Sequence, residues 1–170
     1  MKKISAFIEA PSQASCFKKI PIHSLLIDLP FCSIRPFNPY EWTNNDLIEL
    51  KRMIQYDSLV LNLDGLYSDH ELAIIESTIN ARKLDRLFDG IRIQDIGLIE
   101  WLKSTFPSLS IQLNLETAAQ NKYSIRTLSA LGAECIVLNS ELPYRDIEKL
   151  SKEIAATEIL VQGSLLIQYS

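Results

Sequence analysis

"DGIRIQDIGLIEWLKSTFPSLSIQLNLE" (89–116) holds two kinds of periodicity in one stretch. Its ends, "DGIRIQD" (89–95) and "SLSIQLNLE" (108–116), are short runs rich in Ile and Leu, the length of a strand. Between them Ile99, Leu102 and Phe106 recur at helical spacing, and Pro107 stops the pattern. Strand, helix and strand in that order make a βαβ unit, which predicts a parallel sheet.

The same beat extends both ways. Further strand-like runs are "KISAFIE" (3–9), "SLLIDLP" (24–30), "SLVLNLD" (58–64), "ECIVLNSE" (134–141) and "EILVQGS" (158–164), seven in all. Three more segments carry a single apolar stripe: Leu47, Leu50, Ile54; Leu72, Ile75, Ile79; Ile147, Leu150, Ile154. Gly132 stands where a helix needs a C-terminal left-handed residue, and Pro143 falls at the expected first turn of the last helix. Trp42 and Trp101 are read as packing residues of amphipathic helices. His23 is placed ahead of the second strand and His70 at the start of a helix, both on the surface.

Seven parallel strands alternating with helices predict a single α/β domain over residues 1–170, an incomplete (β/α) TIM-type barrel truncated at its C-terminal end. A complete barrel takes about 250 residues and an eighth strand. An open doubly wound sheet is the competing architecture. A barrel short of its last unit exposes strand edges, and such edges recruit another chain. A homodimer or heterocomplex that completes the barrel is therefore expected.

Composition narrows the function classes. The chain is 47% apolar and 22% charged, which is globular and excludes a disordered tract. Its net charge is -4, and Lys and Arg are scattered without a basic stripe, which argues against a binder of nucleic-acid backbone. In the opening "MKKISAFIEA", Glu9 interrupts the apolar run too early for a secretory signal. No run approaches the ~20 apolar residues of a membrane span. A soluble, cytoplasmic protein is the expectation. Three well-separated cysteines, Cys16, Cys32 and Cys135, without CxxC spacing suggest reduced thiols and not a disulfide framework or zinc site.

In parallel α/β folds the chemistry gathers at the carboxyl ends of the strands. Here those ends are polar: Glu9, Asp28, Asn62 with Asp64, Gln94 with Asp95, Asn114 with Glu116, Asn139 with Glu141, and Gln162 with Ser164. One reading is a carboxylate-lined mouth that binds a hard cation or shares protons, with Asp95, Glu116 and Glu141 as catalytic candidates of a metal-dependent peptidase. The other is that acids near helix starts cap free N–H groups and complement the dipole. The Pro-stiffened stretch "PFCSIRPFNPYEW" (30–42) forms a long βα loop, a usual place for function. No GxSxG, HExxH, P-loop or GxGxxG is present.

The closing "EILVQGSLLIQYS" (158–170) resembles the signature of peptidase family U32, with Glu158, Val161, Gly163, Tyr169 and Ser170 in matching places. The 89–116 stretch and "AAQNKYSIRTLSALGAECIVLNSEL" (118–142) fall into register with the same family, so the resemblance spans nearly the whole chain. It implies a hydrolase ancestry. Branches of the family instead carry out oxygen-independent hydroxylation of ubiquinone precursors or RNA bases with cysteine-ligated iron–sulfur clusters. The sequence also departs from the pattern. Gln162 replaces the signature His and Leu166 the Cys, Asn114 and Glu116 stand for Ser and Gln, and Ser140 stands for the Arg before Glu141.

The resemblance thus implies a truncated or degenerate member, with a partner-dependent assembly subunit of a hydroxylation system as the alternative. Glu9, Arg35, Asn121 and Gln162 are the substrate-binding candidates. "FCSIR" resembles a Cys-Ser-x-Arg segment that supplies one cluster ligand, which makes Cys32 the candidate. A four-iron cluster takes four thiolates. The chain alone is expected to hold no cofactor, and a 4Fe–4S cluster would need ligands from a partner.

Overall fold

The computed structural model describes residues 3–32, 40–115, 121–153 and 156–161. Seven strands, β1 (Ser5–Phe7), β2 (Ile22–Asp28), β3 (Tyr56–Leu63), β4 (Gly90–Ile93), β5 (Ser110–Asn114), β6 (Cys135–Leu138) and β7 (Thr157–Ile159), form one parallel sheet in sequence order. The sheet curls into a half-barrel, an incomplete TIM-type architecture. Six helices alternate with the strands: α1 (Ala14–Phe17), α2 (Asn44–Met53), α3 (Asp69–Arg82), α4 (Leu98–Thr105), α5 (Lys122–Leu131) and α6 (Tyr144–Leu150). Among the described residues, no helix is long and apolar enough to cross a membrane.

Side chains alternate across a strand, so the register divides the sheet into two faces. Leu25, Ile27, Leu59, Leu61, Ile91, Ile93, Ile111, Leu113, Ile136 and Leu138 lie on the convex face. There they meet the apolar stripes of the helices, including Leu47, Leu50, Ile75, Ile79, Leu102, Ile125 and Leu128, in one core. Fully burying each such side chain contributes about 1.5 to 3 kcal/mol. The concave face is mixed: Ser24 pairs with Ser58 and the buried Leu26 with Val60 in register, and Asp28, Asn62, Arg92, Gln112 and Cys135 follow one another across five strands.

Local chemistry sets the helix ends. Thr43 and Ser68 each accept a hydrogen bond from the backbone three residues on, while Asp46 and Glu71 reach back to close capping boxes. Gly132 ends α5 at φ +120, a conformation that side chains disfavour. Acids occupy first turns (Asp46, Asp69, Glu71, Glu100, Asp146) and bases last turns (Lys51, Arg52, Arg82, Lys103, Lys149), as the helix dipole favours. These preferences place acids at the starts of α2, α3, α4 and α6 and bases at their ends.

Three local expectations are corrected. Trp42 is not in a helix. It is buried in the segment before the Thr43 cap, and its carbonyl accepts from Arg82 Nη2. His23 lies inside β2, where its Nδ1 is 2.7 Å from Asp57 Oδ2. Pro143 is the N-cap of α6 and not part of its first turn. Ile154 falls outside the described residues.

Candidate functional site in the concave face

The hollow of the half-barrel is built from strand parity. β4 reads Gly-Ile-Arg-Ile and β5 Ser-Ile-Gln-Leu-Asn, so the isoleucines and leucine face the helices while Arg92 and Gln112 face the hollow. Arg92 is 3% exposed. Its Nε and Nη2 donate to Gln112 Oε1 at 3.2 and 2.8 Å, and Nη2 also meets Glu158 Oε2 on β7 at 2.8 Å. Ser5 on β1 donates to that same carboxylate oxygen at 3.0 Å. A buried guanidinium thus ties β4, β5 and β7 together, and the carboxylate extends the tie to β1. The left part of the hollow holds a second network, in which Asn62 donates to Asp28 Oδ1 at 2.7 Å. Asp64, one alternation further along, is also buried.

The Ser5–Glu158 bond also measures the opening. β1 and β7 are not paired with each other, so each keeps one free edge among the described residues. Two side chains of this length meeting at 3.0 Å hold the strands within roughly 10 Å, about two strand spacings of ~4.8 Å.

Electrostatics quiet the thiols. Burial pushes the Cys32 thiol well up, with Arg82 opposing and Asp28 and Asp64 adding to the rise. Burial, then the Glu158 carboxylate, pushes Cys135 up to about 11, against the pull of Arg92. Cys32 belongs to the apolar core, and Cys16 is exposed. Among the described residues, no three His, Cys, Asp or Glu side chains gather as a metal-binding group. These donors do not fit a four-thiolate cluster.

The two ends of the 30–42 loop are anchored. Tyr67 hydroxyl donates to the Cys32 carbonyl and accepts from Gly65 N–H, and Arg82 with Asn44 holds the Trp42 end. Arg35, in between, lies outside the described residues, as do Glu116 and Gln162.

The remaining sequence candidates do local work. Asp95 Oδ1 accepts from Gly97 N–H at 2.8 Å, opening the turn into α4. Asn121 Oδ1 caps α5 by accepting from Tyr123 and Ser124 N–H. Glu9 exchanges hydrogen bonds with Gln13 on the surface. Glu141 is exposed, and its backbone N–H is bound by Asn139 Oδ1. Among the described candidates, Glu9, Asp95, Asn121 and Glu141 each bond within their own loop or turn. The groups that do meet are Arg92, Gln112, Glu158 and Ser5; Arg92 and Gln112 were readable in the alternation of β4 and β5 but drew no attention as mid-strand residues. Two surface clefts of about 460 and 510 Å³ lie elsewhere, beside Tyr56 and between α5 and α6.

Comparison with known proteins agrees with this architecture. A family model described as peptidase family U32 matches residues 27–170. Among solved structures, that of the U32 peptidase Mk0906 superposes with a TM-score of 0.69 at 13% sequence identity, covering 94% of this chain and 68% of that one. At that identity the likeness concerns the fold. No curated protein matches the chain.

Proposed function

The chain belongs to peptidase family U32, and from that premise we propose that it is a binding member of the family and not a self-contained peptidase. The observation that carries this reading is that Ser5, Arg92, Gln112 and Glu158 are hydrogen-bonded to one another across the hollow. Hydrolysis of a peptide needs a nucleophile beside a group ready to take its proton. Ser5 is hydrogen-bonded to a carboxylate, yet the same carboxylate oxygen is also held by Arg92. Ser24 and Ser58 bond to one another. The thiols of Cys32 and Cys135 stay protonated at neutral pH. The departures at Gln162 and Leu166 point the same way.

Incubation with gelatin and with unfolded peptide mixtures tests the proposal by counting new amino termini. None are expected. Cleavage that disappears in Ser5→Ala or Glu158→Gln would overturn it.

A second reading rests on the edges of β1 and β7, which are not paired with each other. A partner chain that inserts a strand between β1 and β7 would complete the barrel and make the protein an assembly subunit. Light scattering at micromolar concentration is then expected to give a dimer or larger complex. A monomer whose edge amides exchange slowly would remove this reading.

A further inference from the structure

The first three strands begin on a surface whose charge differs from that of the chain as a whole. From Lys3 to Ile27 the sequence holds Lys3, Lys18 and Lys19 but a single acid, Glu9, which lies past the far end of β1. The whole chain has more acids than bases, 21 against 17. Register brings the lysines together. Ser5 pairs with Ser24 and Ile22 with Tyr56, so the residues leading into β1, β2 and β3 are neighbours. They are Lys3 and Ile4, Lys18 to Pro21, and Lys51 to Gln55 from the last turn of α2 onward. Lys3 Nζ lies 3.4 Å from His23 Nε2, and His23 Nδ1 lies 2.7 Å from Asp57 Oδ2, a chain of contacts across all three strand starts.

The positive charge here is not cancelled. Of the acids nearby, Glu49 is taken by Arg52 at 2.6 Å and Asp57 by His23. Lys18, Lys19 and Lys51 are exposed and have no carboxylate partner among the described residues. Past β3 the pattern ends, because Asp85 and Asp89 stand among Lys83 and Arg86. Three large aliphatic side chains are interleaved with the cations: Ile4 is 46% exposed, Ile20 43% and Met53 41%. The core beneath them is supplied by other residues, Ala14, Ile22, Leu50 and Ile54.

Cations and aliphatic groups on one surface favour one kind of partner. Lysines close to an anionic lipid surface are attracted to it over about a Debye length. Exposed aliphatic groups bury themselves at the boundary of headgroups and acyl chains. Nucleic-acid bases stack instead on aromatic rings, and none of these three side chains is aromatic. We infer that the surface where β1, β2 and β3 begin docks the protein peripherally on an anionic phospholipid membrane. Lys3, Lys18, Lys19 and Lys51 meet the headgroups, and Ile4, Ile20 and Met53 enter the acyl boundary. The carboxyl ends of the strands then point away from the bilayer. This goes beyond the reading of the hollow and does not depend on it.

Flotation of the full chain with phosphatidylcholine vesicles, with and without about one-third phosphatidylserine, tests the proposal. Binding to the anionic vesicles alone is expected, and it should weaken as salt rises. Lys18→Gln with Lys19→Gln should weaken it about thirtyfold, about fivefold for each lysine. Ile20→Ser should weaken binding without changing its salt dependence. These side chains are exposed, so circular dichroism should show the fold intact. Lys122→Gln with Arg145→Gln changes the net charge equally but at the opposite end of the sheet, and should leave binding unchanged. No binding to anionic vesicles, full binding in either surface variant, or an equal loss in the control pair would overturn the proposal. Tighter binding to a short oligouridine than to the vesicles at equal phosphate would also overturn it, making the surface a nucleic-acid site.

Discussion

Arg92 is the residue on which the hollow depends. Its guanidinium is 4% exposed and its partner carboxylate 26%, so removing the cation strands Glu158 in a half-buried setting. Breaking a fully buried pair costs about 3 to 5 kcal/mol, and the partial exposure of Glu158 brings the expectation for Arg92→Met to about 2 kcal/mol in urea unfolding. Arg92→Met with Glu158→Leu should recover most of that loss, because no unpaired charge then remains. The thiols make a second prediction. Cys135 and Cys32 bind their protons more tightly folded than unfolded. Stability should therefore be intact below the ordinary thiol range and fall as the pH rises from about 9. The Cys135 share is complete near pH 11, where its folded thiol ionises. Cys135→Ala should flatten the upper limb of a plot of Tm against pH. Arg92 was visible in the sequence as a lone cation between isoleucines. Its role was not, because its acceptors come from β5 and β7, 20 and 66 residues away.

At the scale of elements, the helices and strands followed from periodicity because each buries one face only. Ser68→Ala removes the side-chain acceptor of the α3 capping box and should cost about 1 kcal/mol. The depressed Glu71 carboxyl in the same box, held down by its bonds to Ser68, makes that contribution present above the ordinary carboxylate range. It is lost as the pH falls through the folded value. Gly132→Ala meets both a positive φ and Lys103, whose Cε would lie 2.1 Å from the new Cβ. Upwards of about 1 kcal/mol of thermal or urea stability should go with it. Trp42 and His23 escaped the sequence reading for opposite reasons. Trp42 borrowed the apolar periodicity of α2 without sharing its backbone, and His23 put a polar side chain near the start of a strand, where Asp57 of the next strand satisfies it.

For the whole molecule, repeated βα units were legible, whereas the width of the opening was not. Closure depends on strand tilt and stagger, which arise from the summed register of all seven strands. The exposed flank of β7, with Ile159 at 41% and Val161 at 88%, is the apolar edge from which association should start. Ile159→Lys should raise the concentration at which light scattering first detects self-association. The strict order β1 to β7 has a further consequence for synthesis. Every ladder joins strands made one after the other, so a nascent chain has no pairing that must wait for a distant segment. At roughly 5 to 20 residues per second the sheet would take on the order of 10 to 30 s to emerge. Throughout that time the growing end carries the newest unpaired strand, and that vulnerable edge moves along the sheet with the ribosome. The bonds that Glu158 makes to Ser5 and Arg92, 153 and 66 residues away, must wait for the end, so they fasten a sheet already assembled.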